Sequence, residues 1–250
     1  MSVSKIISPP KNWQNPFDME GFSSSEQAAI LQYAHWVAKQ NGWVANEENG
    51  KLYTGPANRN VIEPVPPAPK ELRLKVRYFS QRDSQVPGQW WRSCFSSSVA
   101  MLVDTVKPGV LSNSANADDE HLRRVMQYGD TTDASAQLKA LKHYGVKAEF
   151  RQNLSTADLD RDLKAGRGIA CGILIKGHVS APSGGGHYVY PVGIAANGDY
   201  LVHDPYGELD MVNGGYLHAD GKYRLYSRKN FQRRWEVDGP GTGWGIRVTG

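Results

Sequence analysis

A cysteine, a histidine and an aspartate follow one another along this 250-residue chain in an order that suits nucleophilic chemistry. Cys94 opens a helical pattern, His187 follows three glycines, and Asp204 stands in the run His-Asp-Pro-Tyr-Gly. A cysteine in the first turn of a helix lies against unsatisfied backbone N–H groups and the positive end of the helix dipole, and both favour the thiolate. The expected chemistry is attack by that thiolate, with an imidazole as base and a carboxylate that orients the base.

The segment between His187 and Asp204 predicts a β-hairpin. Apolar and aromatic residues run as far as Ala196, Asn197-Gly198 supplies the turn, and Tyr200-Leu201-Val202 returns. Because a hairpin brings the residues at its open end side by side, we expect His187 and Asp204 to be neighbours.

Each of these residues also has an ordinary explanation. A free cysteine is usually a small buried residue, and Cys171, in the middle of an apolar run, is expected in the core. His187 can equally be a hydrogen-bonded residue at a strand end, and Asp204 can simply begin the turn that Pro205 continues. The case for a site therefore comes from their order and setting together.

Two choices stay open from the residues alone. His203 precedes the aspartate and is a second possible base, although the glycines before His187 favour the latter because they let a substrate chain pass close. Gln81 and Gln89 each carry an amide N–H that can stabilise a developing oxyanion. The histidines at positions 35, 121 and 143 lie in helical segments and are expected at the surface or its boundary.

The elements that position these residues follow from hydrophobic periodicity. Helices are predicted at 23–41, 94–106, 117–128, 134–144 and 157–165, and strands at 72–78, 168–175, 188–195 and 199–202. Helices thus come first and an antiparallel sheet second, which is an α+β order. A proline-rich run over 58–70 marks a boundary, so we expect a small helical and Pro-rich N-terminal extension, 1–70, and a main domain, 71–250.

Composition excludes several classes of protein. The net charge of +4 is mild. A late basic cluster is expected to form a solvated helix face or to attract an anionic polymer such as a cell wall, so no nucleic-acid partner is predicted. Its members are Arg224, Arg228, Lys229, Arg233 and Arg234. Two cysteines without metal-ligand spacing predict no disulfide framework, no metal site and no cofactor. The chain shows neither an 18-residue apolar run nor a secretory signal, so we expect synthesis in the cytoplasm and no membrane span.

Together these residues resemble the papain-like cysteine peptidases, in particular their C39-like branch. The matching pieces are 76–83, 94–101, 186–189, 202–207 and the late segment 230–235, and the resemblance covers roughly residues 72–237. The resemblance implies a papain-like fold whose helical half carries the cysteine and whose antiparallel sheet carries the histidine and the acid. It also implies that Cys94 is the nucleophile, His187 the base, Asp204 its orienter, and Gln81 an oxyanion donor beside the Cys94 backbone N–H.

We therefore predict a cysteine peptidase or amidase whose substrate is a peptide, a protein or a cell-wall stem peptide. By analogy, a phage-type or bacterial peptidoglycan hydrolase, virion-associated or host-lytic, fits the chain, and processing of a protein partner fits equally well. The same acyl-enzyme would also serve a thiol-dependent transferase. The alternative from another class is a non-catalytic papain-like binding module in which Trp90, Trp91, Trp235 and Trp244 bind peptide or glycan, although such aromatics are more often core.

Overall fold

The computed structural model describes residues 17–48, 51–56 and 70–249. The chain divides into two compact units, Met1–Pro67 and Ala68–Gly250. The larger unit is a mixed α/β structure built on an antiparallel sheet. None of the helices in these ranges is long and apolar enough to cross a membrane.

The smaller unit combines one helix with a small sheet. Helix α1, Ser24–Gln40, begins with a capping box in which the Ser23 side chain accepts the Glu26 backbone N–H and the Glu26 carboxylate accepts the Ser23 backbone N–H. The sequence predicted this helix but not the three-stranded sheet beside it, whose order is β1–β3–β2. Those strands are β1 Phe17–Asp18, β2 Trp43–Glu48 and β3 Lys51–Pro56. Most of the predicted proline-rich run, 58–69, lies outside the described residues.

A seven-stranded sheet forms the centre of the larger unit. Its strands are β4 Leu72–Arg73, β5 Ala148–Leu154, β6 Ala170–Lys176, β7 Ser183–Ile194, β8 Tyr200–His203, β11 Arg224–Tyr226 and β12 Gly243–Val248. Their order is β11–β8–β7–β6–β12–β5, with β4 paired to β7, and every pair is antiparallel. Two further short strands, β9 Glu208–Leu209 and β10 Tyr216–His218, pair separately.

Helices cover both faces of this sheet. They are α2 Cys94–Val106, α3 Ala117–Met126, α4 Ala134–His143, α5 Thr156–Lys164 and α6 Arg228–Trp235. One core joins α2 to residues such as Tyr190 and Ile246, and a second joins α5 and α6 to Val189 and Cys171 on the opposite face. Apolar side chains that alternate along β7 thus serve both cores, which explains why this strand is so apolar.

Two strand predictions need correction. The predicted strand 72–78 is reduced to Leu72–Arg73, with one further backbone hydrogen bond from the Leu74 N–H to the Val192 carbonyl. Beyond that point the chain is held by side chains, because Arg77 binds Asp104 of α2 and Tyr78 binds the Asp204 carbonyl. The glycine run before His187 was predicted to precede its strand. It lies inside β7 instead, where Gly186 pairs with Leu174 and a register shift follows before Ser183 pairs with Lys176.

Two predictions of surface position were also wrong. Arg234 is fully buried, since its guanidinium donates to backbone carbonyls from two separate segments: Leu174 in β6 with Gly177 just after it, and Met211 after β9. His121 is buried as well, with its Nε2 2.9 Å from Gln137 Oε1. In both cases hydrogen bonds to residues distant in sequence offset the free-energy cost of burying a polar group.

Candidate active site

Cys94 is the first residue of α2 and is half-buried. The Ser93 side chain makes no capping hydrogen bond, and the first turn holds no acidic residue. The helix N-terminus therefore presents its backbone N–H groups and its positive dipole end to the thiol, and no side chain of its own first turn competes as an anion. The sequence predicted this helix with the same bounds.

The predicted hairpin is present and joins β7 to β8. Tyr190 pairs with His203 and Ile194 with Tyr200, and Gly198 adopts a positive φ of 87° in the Asn-Gly turn. At the open end of the hairpin, His187 Nε2 lies 2.7 Å from Asp204 Oδ1. Two residues 17 positions apart thus form a buried hydrogen-bonded pair, as the hairpin predicted.

Helix α2 and β7 are joined beside this pair. The rings of Phe95 and Tyr188 stack with centroids 3.6 Å apart and planes 9° apart. Because these residues directly follow Cys94 and His187, the stacking fixes the thiol and the imidazole relative to each other. The two side chains are close enough for each to shift the pKa of the other. Since His187 Nε2 faces Asp204, the nitrogen that faces Cys94 is Nδ1.

Asp204 is fully buried, and its two carboxylate oxygens accept three hydrogen bonds. Oδ1 accepts from His187 Nε2 and from the Tyr206 backbone N–H at 3.0 Å, and Oδ2 accepts from the Tyr226 hydroxyl at 2.8 Å. A buried carboxylate is tolerated only when its oxygens are satisfied in this way. The carboxylate is therefore held in one orientation toward the imidazole.

The backbone of Asp204 is held equally firmly. Its N–H donates to the Gly221 carbonyl at 2.9 Å, and its carbonyl accepts from the Tyr78 hydroxyl at 2.9 Å. A Cβ on Gly221 would lie 1.9 Å from the Asp204 carbonyl oxygen, so only glycine allows this approach. Sequence reasoning missed Tyr226, Tyr78 and Gly221 as supports, because no local pattern marks contacts made across such separations.

The imidazole of His187 is stabilised in its charged form. Burial disfavours the charge and is the largest single influence, but the Asp204 carboxylate and the Cys94 thiolate together outweigh it and raise the pKa of His187 to about 10. The rings of Tyr206 and Tyr216 pack edge-on against the imidazole, at centroid distances of 6.5 and 5.8 Å. These rings shield the histidine and aspartate pair from water.

The pKa of the Cys94 thiol shifts in the opposite direction to that of His187. Burial, again the largest influence, raises its pKa, whereas the charge of His187, the hydrogen bond with His187 and a hydrogen bond to the Tyr188 backbone act together to lower it. The net pKa lies below the ordinary value of a thiol. Burial raises the pKa of Cys171 well above that value, in keeping with the predicted core position. Of the two thiols, that of Cys94 thus has the lower pKa and the larger thiolate fraction at a given pH.

Gln81 begins a short 3-10 helix, Gln81–Asp83, and is buried. Its Nε2 donates to the Trp90 carbonyl at 2.9 Å. Because a carbonyl can only accept a hydrogen bond, the group that faces Trp90 must be the NH2 of the Gln81 amide. That group has a second N–H beyond the one donated to Trp90. Gln89 is half-buried on the turn before α2. The structure thus links Gln81, through Trp90, to the segment that carries Cys94.

His203, the other possible base, is buried between the rings of Tyr78 and Tyr223 at centroid distances of 5.4 and 4.4 Å. Neither of its ring nitrogens has a hydrogen-bond partner among the described residues. Burial lowers the pKa of His203 to about 3, so it stays neutral. The geometry favours His187 over His203 as the residue that works with Cys94.

Tryptophan positions differ from the expectation that such aromatics are core. Trp235 is fully buried and Trp244 half-buried, but Trp90 and Trp91 are 47% and 61% exposed.

Among the described residues, no group of three or more histidine, cysteine, aspartate or glutamate side chains is arranged to hold a metal ion.

The fold and the site define a mixed α/β protein in which a helix N-terminal thiol meets an imidazole and a carboxylate on an antiparallel sheet. The model of the Peptidase C39 like family matches residues 73–241, about two thirds of the chain, and the chain belongs to that family. A crystal structure of a candidate C39-like peptidase from Bacillus anthracis aligns with 72% of this chain and 98% of its own, at 14% identity and a TM-score of 0.45. No curated protein matches.

Proposed function

We propose that this protein is a cysteine peptidase that hydrolyses a peptide amide bond, with the activity in residues 71–250. The observation that carries the proposal is the buried pair of His187 Nε2 and Asp204 Oδ1, 2.7 Å apart, together with the mutual electrostatic influence of His187 and the Cys94 thiol at the N-terminus of α2. The lowered pKa of Cys94 and the raised pKa of His187 support a thiolate–imidazolium pair near neutral pH. A thiolate is the nucleophilic form of cysteine.

The reaction proceeds in two halves. In the first half, the Cys94 thiolate adds to the carbonyl carbon of the scissile amide. The imidazolium of His187 then gives its Nδ1 proton to the leaving amine as the C–N bond breaks, which leaves a thioester on Cys94. In the second half, neutral His187 takes a proton from water, the hydroxide adds to the thioester, and the carboxylic acid product leaves as the thiolate is restored.

Asp204 acts through His187 and does not take the proton. Its Oδ1 accepts from Nε2, which directs Nδ1 toward the thiol, and its charge stabilises the imidazolium. The Tyr226 hydroxyl and the Tyr206 N–H keep the carboxylate in that orientation. This support is an enzyme's usual means of holding a base to one tautomer and one rotamer.

Gln81 is assigned to the oxyanion hole together with the Cys94 backbone N–H. Gln81 has one N–H directed to Trp90, and its second N–H is assigned to the developing oxyanion. Gln89 is the competing donor, since it lies closer in sequence to the nucleophile. Parallel Gln81→Ala and Gln89→Ala variants decide between them, because only loss of the true donor lowers kcat by about 100-fold or more.

The substrate is assigned as a peptide bond in a peptide, a protein or a cell-wall stem peptide. The test incubates the full chain with a peptide library and, separately, with purified peptidoglycan, using Cys94→Ala as the inactive control and Cys171→Ala as the matched control that keeps activity. Release of new amino and carboxyl termini that depends on Cys94 supports a peptidase. Release of stem peptides from peptidoglycan alone identifies a wall hydrolase.

A non-catalytic binding module is the alternative. It predicts tight binding of peptide or glycan with no product, and equal behaviour of the wild type and Cys94→Ala in every assay. The lowered pKa of Cys94 and the buried Asp204 argue against it, since binding alone requires neither an activated thiol nor the burial of a carboxylate. Transfer of the acyl group to an added amine, in place of water, would instead reveal a transferase.

A further inference from the structure

Two adjacent tryptophans are exposed on the turn that leads into α2. Trp90 is 47% and Trp91 61% exposed, although tryptophan is highly buried on average. Side chains of this size leave a sizeable apolar area in water. Exposed aromatic groups that are contiguous and rimmed by polar residues mark binding surfaces.

The backbone beneath these rings is fixed. The Trp90 carbonyl accepts the amide of buried Gln81 at 2.9 Å. The turn itself is closed by hydrogen bonds from the Gln89 N–H to the Val86 carbonyl at 3.2 Å and from the Arg92 N–H to the Gln89 carbonyl at 2.9 Å. A mobile loop makes few such bonds, so these rings are presented by a rigid support. Preorganisation of this kind lowers the entropic cost of binding.

Arg92 fixes the second ring. Its guanidinium lies 5.6 Å from the centroid of the Trp91 ring and donates to both carboxylate oxygens of Asp130, at 2.6 and 2.8 Å. The Asp130 carboxylate balances the charge of the arginine beside the Trp91 ring, so the surface offers flat apolar rings next to a paired charge. An apolar or aromatic group is the ligand that such a surface accepts best.

The turn that carries the two rings is close to the proposed nucleophile. Consecutive Cα atoms are about 3.8 Å apart, so the Cα of Trp91 lies within about 11 Å of the Cα of Cys94 and that of Trp90 within about 15 Å. One or two residues of an extended peptide cover such distances. A substrate whose scissile carbonyl meets the thiol can therefore extend its neighbouring residues to the turn that carries these rings.

We propose that Trp90 and Trp91 form a substrate-binding surface that accepts an apolar or aromatic side chain of the peptide, one or two residues from the scissile bond. This inference rests on the proposed peptidase function and names the substrate class of the same site. The rings bind the substrate equally in its ground and transition states. Their loss therefore raises KM and leaves kcat nearly unchanged.

The test compares Trp90→Ala and Trp91→Ala with Trp36→Ala, a matched control that removes a tryptophan of 58% exposure from the smaller unit. Each variant reacts with blocked peptidyl chloromethyl ketones that carry phenylalanine, leucine, glycine or glutamate, and with iodoacetamide. The ketones report peptide binding at Cys94, whereas iodoacetamide reports only the thiolate. Far-UV circular dichroism and the melting temperature verify folding, and Trp90→Phe and Trp91→Phe restore an aromatic ring.

The expected result is a preference of the wild type for phenylalanine or leucine over glycine or glutamate. That preference falls by about 10-fold or more in Trp90→Ala or Trp91→Ala, because truncation of a buried tryptophan contact has that order of cost. The phenylalanine variants restore most of it, and Trp36→Ala keeps all of it. Iodoacetamide labelling stays unchanged throughout.

Two results overturn the inference alone. One is an unchanged preference in both alanine variants with normal iodoacetamide labelling. The other concerns quenching of the fluorescence of Trp90 and Trp91. If chito-oligosaccharides protect these tryptophans from a quencher and apolar peptides do not, the surface binds glycan. Slow iodoacetamide labelling of Cys94 in the wild type is a different failure, because it removes the proposed peptidase function and this inference with it.

Discussion

Replacement of Asp204 by asparagine should lower the pKa of His187. The carboxylate stabilises the imidazolium through its charge and through the 2.7 Å hydrogen bond to Nε2. Asparagine keeps an oxygen to accept from Nε2 and from the Tyr206 N–H, and its new amide group then faces the Tyr226 hydroxyl, which can accept as well as donate. The substitution thus removes the charge and preserves the shape of the site.

The size of the effect follows from the site's electrostatics. An opposite charge within hydrogen-bond distance shifts a pKa by about 1–3 units. The pKa of His187 should therefore fall from about 10 to about 7–9. The imidazolium stabilises the thiolate, so the ratio of the thiolate–imidazolium pair to the neutral pair should fall by about 10- to 1000-fold, or about 1.4–4 kcal/mol. Loss of the Asp204 charge also favours the Cys94 thiolate directly, but that charge is the smallest of the influences on the pKa of Cys94.

The assay has two readouts. Heteronuclear NMR of the imidazole follows the titration of His187 directly, and the pH dependence of iodoacetamide labelling follows the thiolate of Cys94. The exposed Asp238→Asn variant controls for the loss of one negative charge elsewhere in the domain. An Asp204→Asn variant with the wild-type His187 titration and the wild-type labelling profile would refute the electrostatic role of Asp204.

Three further predictions concern residues that support the fold. Burial raises the pKa of Asp118 to about 7. The folded protein therefore loses stability as the pH rises from about 4, the pKa of an unfolded aspartate, to about 7. Asp118→Asn should for this reason raise the melting temperature at pH 8 by more than at pH 5. Equal gains at both pH values would contradict this sign. Gly221→Ala should cost about 2 kcal/mol or more in chemical denaturation and slow turnover, because its Cβ meets the Asp204 carbonyl; an unchanged unfolding midpoint would exclude that clash. Arg234→Met leaves several buried carbonyls without a donor and should destabilise by about 3 kcal/mol or more, a cost absent in the exposed-site control Arg233→Met.

The parts of the site that the sequence predicted rest on local patterns. The bounds of α2 follow from periodicity and from the Pro108-Gly109 stop, and the hairpin follows from Asn197-Gly198 between apolar runs. These two elements suffice to bring Cys94 toward the sheet and His187 beside Asp204. Local signals were enough here because the turn chemistry sets the register of the hairpin.

The parts that sequence reasoning missed depend on contacts between distant segments. The burial of Arg234 requires carbonyls that two separate segments supply, and the Tyr226 hydroxyl reaches Asp204 from 22 residues away. The exposure of Trp90 follows from a turn whose conformation is fixed by Gln81 rather than by hydrophobicity. In the smaller unit, β1 consists of only two residues, too few to show a periodic pattern.

The most direct test of the central claim compares the reactivities of the two cysteines. Wild-type protein is labelled with iodoacetamide between about pH 5 and 9, and mass spectrometry reports the rates at Cys94 and Cys171 separately. The account predicts that Cys94 reacts well below pH 8.5, the usual thiol pKa, while Cys171 stays unlabelled. His187→Ala should move the Cys94 profile toward ordinary thiol behaviour. Equal slow labelling of both cysteines, unaffected by His187→Ala, would contradict the claim.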